Sequence, residues 1–164
     1  MNNDIFGKNG MLFLDGAMGT QLQARGLKPG EVPELWNLTR PDDVRAVHEA
    51  YFAAGADIVY ANTFGANSAK YHGDAPLADV VSAAVAVAKE AAARAGGRRF
   101  VALDVGPTGR LLKPAGDFEF DAAYDAFAEQ VRLGAAAGAD LVAVETMGDL
   151  HEPKAPVLAA QENS

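Results

Sequence analysis

Four polar residues each close a short apolar run in this chain. Asp15 follows Met11-Leu12-Phe13-Leu14, and Asn62 follows Asp57-Ile58-Val59-Tyr60-Ala61. Asp104 follows Arg99-Phe100-Val101-Ala102-Leu103, and Glu145 follows Asp140-Leu141-Val142-Ala143-Val144. In parallel α/β folds the carboxyl ends of the strands lie on one side, and that side carries the site. Three carboxyl groups and an amide on one rim suit a cationic ligand or proton transfer. Glu145 follows four apolar residues, so a buried carboxylate is expected there, and it needs a cationic or N–H partner. A ligand ammonium would serve, as would Lys or Arg from a neighbouring loop. Beyond Asp15 the chain reads Gly16-Ala17-Met18-Gly19-Thr20. Glycine allows a backbone to approach a ligand closely. A carboxylate above a loop with free N–H groups suits a small ligand carrying both an amine and a carboxylate. The plain alternative is a tight turn with a solvated aspartate.

Other chemistries find less support. Gly16-Ala17-Met18-Gly19-Thr20 and Gly106-Pro107-Thr108-Gly109 lack the lysine of a phosphate loop, and neither matches the dinucleotide fingerprint. His48 falls within an expected helix, His72 in a loop and His151 near the last helix start, so they form no ligand set, and each reads as a surface histidine. The chain has no cysteine, so neither disulfides nor thiolate ligands can come from it. With a net charge of -8 over 164 residues, the surface repels phosphate backbones, which argues against nucleic acid as a partner. No apolar run approaches the roughly 20 residues needed to cross a bilayer. A cytoplasmic protein without a membrane partner is expected.

The elements that must position these residues follow from apolar periodicity. Residues 1–10 form a polar lead-in, and residues 11–164 the domain. The first strand, Met11 to Leu14, is apolar throughout, which suits burial on both faces. Gln21 to Arg25 form a helical turn stopped by Gly26, and Pro33-Glu34-Leu35-Trp36-Asn37 reads as irregular. Thr39 opens a helix, with Asp42 three residues on as in a capping box and Pro41 in the first turn. Val44, Val47, Tyr51 and Ala54 make its buried stripe, and Gly55 ends it. A strand over residues 57–61 leads to Asn62-Thr63-Phe64-Gly65-Ala66-Asn67. A second helix carries Leu77, Val80, Val81, Ala84, Val87 and Ala88 inward and stops at Gly96-Gly97. Its Glu90 and Arg94, at i,i+4, belong to a solvated face. A strand over residues 99–103 follows, then a helix opened by Asp121 with Tyr124, Phe127, Val131 and Ala135 on one face. Gly138 ends that helix, and the strand over residues 140–144 comes next. A final helical stretch begins near Asp149.

Strand and helix alternate four times, which implies parallel strands joined by right-handed crossovers. Ala53-Ala54-Gly55-Ala56-Asp57-Ile58-Val59 recurs 83 positions later as Ala136-Ala137-Gly138-Ala139-Asp140-Leu141-Val142. A period of two βα units fits a barrel of repeated modules, and a doubly wound sheet stays open.

Taken together, the motifs resemble the homocysteine S-methyltransferase family. Leu14-Asp15-Gly16-Ala17-Met18-Gly19-Thr20 is similar to the family's opening signature. Pro33 to Leu38, Ala54 to Val59 with Asn62 to Asn67, Val105 to Gly109, and Glu145-Thr146-Met147 follow in the family's order. The likeness is strongest to the homocysteine-binding domain of cobalamin-dependent members. It implies an α/β fold, the first four βα units of a (β/α)₈ TIM barrel. It also implies methyl transfer to the thiol of homocysteine, giving methionine. By resemblance Asp15 and Glu145 hold the substrate ammonium, backbone N–H groups of Gly16, Ala17 and Met18 hold its carboxylate, and Asn62 and Thr63 line the pocket.

One departure bears on activity. The family activates the thiol on zinc held by three cysteines, since metal ligation deprotonates a bound thiol. This chain has none, so the resemblance implies an amino-acid clamp without the metal, inactive alone. Its partners would be homocysteine and either the rest of the barrel or a second copy. Cobalamin and methyltetrahydrofolate would act through other domains. The rival readings are a self-associating amino-acid-binding module, and a metal-free enzyme using Asp15, Asp104 or Glu145 as general base. Pro153 and Pro156 depart from the family's helix. An interior Pro156 would cost about 3 kcal/mol, so the last helix is expected to be weak or irregular.

Overall fold

The computed structural model describes residues 11–164. The polar lead-in assigned to residues 1–10 lies outside them. The elements run α1 (Met18–Ala24), a 3₁₀ turn (Pro33–Leu35), α2 (Trp36–Thr39), α3 (Pro41–Ala53), β1 (Ile58–Tyr60), α4 (Leu77–Ala95), β2 (Phe100–Val105), α5 (Phe120–Ala136), β3 (Leu141–Val144) and α6 (Lys154–Asn163). The strands form one parallel sheet in the order β1-β2-β3, with Val59 opposite Val101 and Leu103 opposite Val142. Each crossover passes through one long helix, as parallel neighbours require. The fold is α/β.

Strand β2 is the sheet's centre and is buried from Val101 to Val105. Leu103 and Val105 pack with Phe127 and Val131 of α5 and with Ala155 and Ala159 of α6. Val59 and Val101 pack with Phe52 of α3 and with Ala84, Val85 and Ala88 of α4. Leu22, Leu27 and Trp36 join Val44, Val47 and Val87 in a third cluster, which fastens the early segment to α3 and α4.

The first expected strand is reduced to one parallel bridge, Leu14 to Ile58. The Phe13 carbonyl accepts from the N–H groups of Asp57 (2.7 Å) and Ile58 (3.1 Å), and Asp15 N–H donates to Ile58 O (3.0 Å). Among the described residues its only sheet neighbour is β1. Met11, Phe13 and Leu14 are accordingly 69%, 61% and 52% exposed, not buried on both faces. At the opposite edge, every residue of β3 is half-buried.

The repeated segment turns out to be a clip. Gly55 and Gly138, with φ of 105° and 91°, turn the chain out of a helix through a conformation that favours glycine. The aspartate two residues on then grips the preceding segment. Asp57 Oδ2 accepts from Phe13 N–H (3.0 Å) and its Oδ1 faces Arg99 (3.1 Å). Asp140 Oδ2 accepts from Val101 N–H (2.8 Å) and its Oδ1 faces Lys89 (2.6 Å).

Several boundary expectations shift. Pro33 to Asn37 is not irregular, since it forms the 3₁₀ turn and the start of α2. Thr39 does not cap α3. It ends α2, where its Oγ1 donates to Leu35 O (3.0 Å), and Arg40 stands ahead of Pro41 instead. Pro156 is the third residue of α6, not an interior one. The first four N–H groups of a helix have no intrahelical acceptor, so its missing donor costs nothing there. The last helix therefore runs unbroken for 10 residues against α5.

The stripe of α3 runs Val44, Val47, His48, Tyr51 and Phe52, and Ala54 is exposed. His48 is fully buried, and neither ring nitrogen has a partner among the described residues, which corrects its reading as a surface histidine. His72 and His151 are exposed as expected. Burial pushes the His48 imidazole down from 6.5 to about 4. The unfolded chain therefore binds the proton first. The stability that His48 contributes is present above about pH 6.5 and is lost as the pH falls towards 4, at about 1.4 kcal/mol per pH unit. The unfolding free energy of the chain minus that of His48→Leu, from urea unfolding between pH 7 and 4, should show this slope.

Candidate functional site

The ends of the strands bring the carboxyl groups together. Asp104 lies in β2, paired with Ala143 of β3, and Glu145 follows β3, its N–H donating to Val105 O (3.1 Å). Asp15 follows the Leu14 bridge, and its Oδ2 accepts from Tyr60 N–H (3.1 Å). Asp15 Oδ1 and Asp104 Oδ1 are buried without a partner. The ion pairs among the described residues involve neither these three carboxyls nor Glu34.

Like charges without a counterion disfavour ionisation, as burial does. Burial pushes Asp15 up to about 7, helped by Glu145 and opposed by the N–H groups of Tyr60 and Asp15 itself. Burial, then Glu145, Asp15 and Glu34, push Asp104 up to about 8. Tyr60 is raised by its own burial and then by Glu145, Asp104 and Asp15. Glu145 is half-buried, less than its apolar run implied, because β3 is an edge strand. The next residue, Thr146, has φ of +56°, a left-handed conformation that costs a non-glycine residue roughly 1–2 kcal/mol.

The loop after β1 is held by side chains. Asn62 Nδ2 donates to Pro33 O (2.8 Å) and to Asn37 Oδ1 (3.0 Å), and Asn37 Nδ2 donates back to Asn62 O (2.9 Å). Thr63 Oγ1 donates to Asp104 O (2.8 Å) and accepts from Asp104 N–H (3.0 Å). Gln130 Nε2 of α5 bridges Thr63 O (2.8 Å) and Asp104 O (3.0 Å). Gly65 N–H donates to the buried Glu34 Oε1 (2.6 Å). Asn62 Nδ2 and Thr63 Oγ1 are thus committed to neighbouring protein groups.

Sequence reading missed Glu34, Asn37, Gln130 and Glu152. The first two lie in the run expected to be irregular. Gln130 interrupts the buried face of α5 between Phe127 and Val131, a polar residue among apolar ones and a readable signal. Glu152 carries none, yet its Oε1 accepts from both Thr108 N–H (2.8 Å) and Thr108 Oγ1 (2.7 Å), which ties the loop after β2 to the start of α6. Asp15 and Gly16 also border an open cleft of about 450 Å³ with Phe13, Leu14, Tyr51, Ala54, Gly55 and Ala56.

The profile of the homocysteine S-methyltransferase family matches residues 12–164. The chain belongs to this family. It is 39% identical over 162 residues to methionine synthase of Mycobacterium tuberculosis (strain ATCC 25618 / H37Rv), covering 90% of this chain and 13% of that protein. Identity to methionine synthase of Mycobacterium leprae (strain TN) is 38%, with the same coverage. Among solved structures, the metallated form of the homocysteine methyltransferase MmuM from Escherichia coli superposes with a TM-score of 0.78 at 26% identity. That match covers 98% of this chain and 62% of MmuM. The oxidised form gives 0.78 at 27%, covering 96% and 60%. The chain therefore spans about one eighth of the methionine synthases and under two thirds of MmuM.

The Gly65 contact is testable. A Cβ there would lie 2.7 Å from Glu34 Oε1, so Gly65→Ala should destabilise the chain by about 1–3 kcal/mol. Glu34→Ala removes the obstacle, so the double variant should lose less than the two single changes added, a coupling of roughly 0.5–3 kcal/mol. Urea midpoints of the three variants measure it.

Proposed function

We propose that this chain supplies the amino-acid clamp of a homocysteine S-methyltransferase, folded as the first four βα units of a (β/α)₈ TIM barrel spanning residues 11–164. The observation that carries this reading is the group of Asp15, Asp104 and Glu145 at the carboxyl ends of parallel segments, with no ion pair to a cation among the described residues. A zwitterionic amino acid needs acceptors at one end and donors at the other. Asp15 and Glu145 accept from the ammonium. The backbone N–H groups of Gly16, Ala17 and Met18 donate to the carboxylate. Asn62 and Thr63 form the wall beside Asp104, held inward by Asn37 and Gln130. The reaction served is methyl transfer to the homocysteine thiol, giving methionine.

Zinc held by three cysteines does not fit these residues. The chain contains no cysteine, and among the described residues no group of three or more His, Cys, Asp or Glu could hold a metal. These residues bind and orient the substrate, and thiol activation falls to groups outside this chain. The chain alone is then inactive, and cobalamin and methyltetrahydrofolate act through other domains. The exposed Met11, Phe13 and Leu14 at one sheet edge also favour a second reading, a binding module that associates with another copy. Sedimentation as a monomer would remove that reading. No helix among the described residues is long and apolar enough to cross a membrane, which accords with a cytoplasmic setting.

Calorimetric titration with L-homocysteine and with 4-mercaptobutanoate, which lacks the amine, tests the clamp. The amine-free compound should bind at least 10-fold more weakly, as should L-homocysteine to Glu145→Gln, because a charged hydrogen bond is worth about 1.5–3 kcal/mol. Equal affinity for the two compounds would sink the assignment. Methyl transfer by the purified chain would sink its inactivity.

A further inference from the structure

The clamp as described leaves Asp104 without a task, although this carboxyl is the most enclosed of the three. It is 7% exposed, and its Oδ1 has no hydrogen-bond partner. Its backbone is pinned on both sides, the N–H and carbonyl by Thr63 and the carbonyl again by Gln130. Among the described residues the charges acting on it are carboxylates: Glu145 beyond β3, Asp15 beyond the Leu14 bridge and Glu34 in the 3₁₀ turn. Tyr60 of β1, within the field of the same group, is a neutral phenol. Asp15 Oδ1 is buried and unpartnered as well. An isolated buried carboxylate neutralises rather than stay charged, and two interacting carboxyls lose their protons as a pair.

We propose that Asp104 is a third acceptor for the substrate ammonium, and that the empty rim holds a proton on the Asp15–Asp104 pair which leaves when the amine enters. This rests on the clamp reading above. An ammonium group brings three N–H donors, and the rim offers three acceptors for them: Asp15 Oδ1, Asp104 Oδ1 and the Glu145 carboxylate. The ligand keeps all three of its ammonium protons. The proton released is the one carried by the pair, and it passes to buffer. No bond to carbon or sulfur changes. A quaternary amine offers no such donor, so the rim selects primary ammonium over trimethylammonium compounds of similar size.

L-Methionine is the probe, since it has no thiol to ionise. Titration of the full chain by calorimetry in phosphate and in Tris gives the protons released per ligand from the difference in observed heat. Release should be about one proton near about pH 7.5, exceed one at lower pH and fall towards zero by about pH 9. Asp104→Asn should abolish most of that release and weaken binding at least 10-fold. Carboxyl carbon NMR of the unaltered chain gives a reading that needs no variant: Asp104 should titrate well above the usual aspartate value of about 3.9, and methionine should move it down. Normal titration of Asp104, or no proton release, overturns the proposal. If Asp15→Asn and Glu145→Gln weaken methionine binding while Asp104→Asn changes neither affinity nor release, the proposal falls and the clamp stands. If methionine does not bind, or none of the three changes matters, the clamp reading falls and takes the proposal with it.

Discussion

The backbone of Asp104 is the fixed point of the rim. Thr63 Oγ1 holds its N–H and carbonyl, and Gln130 Nε2 reaches the same carbonyl together with that of Thr63. One hydroxyl and one amide thereby join the loop after β1, the end of β2 and the inner face of α5. All the groups involved are buried, where an unmade hydrogen bond is expensive. The loop cannot drift without leaving those groups unsatisfied. The consequence is a stiff frame around three carboxyl groups that form no ion pair among the described residues.

The rest of the rim follows from that frame. Asn62 and Asn37 exchange hydrogen bonds across the start of the same loop, and Glu34 receives Gly65 N–H at its far side. Glu34 and Asn37 belong to the short helical turn and helix before α3, so the early segment acts as a brace for the site. Glu152 does the equivalent for the loop after β2. Polar side chains that look catalytic in a sequence are here largely spent on loop backbone. The carboxyls are the exception, and electrostatic complementarity to a cationic group is what remains available at the rim.

Much of this was legible in the sequence because parallel α/β units obey strong rules. The alternation of apolar runs with 3.6-residue stripes gave α4, α5, β2 and β3 nearly in place, and the residue after each run marked the rim. What failed has physical causes. Met11 to Leu14 has the composition of an interior strand, but composition does not reveal that only one neighbour pairs with it. Glu145 looked buried for the same reason. His48 sits at a core position of α3, four residues after Val44 and three before Tyr51, and periodicity alone places it inside. The effect of Pro156 depends on its distance from the helix start, which residue type alone does not convey. Glu34 and Glu152 act through contacts 31 and 44 residues away in sequence, which local pattern does not encode.

The paired aspartate clips at Asp57 and Asp140 bear on how the chain acquires its shape. The backbone group that each one grips, at Phe13 and at Val101, lies earlier in the chain. For Asp140 the cation, Lys89, is earlier too. A polypeptide emerging from a ribosome could therefore set the alignment of each new strand against material already made. Assembly can proceed in one direction, and a register error at one strand is checked before the next strand arrives.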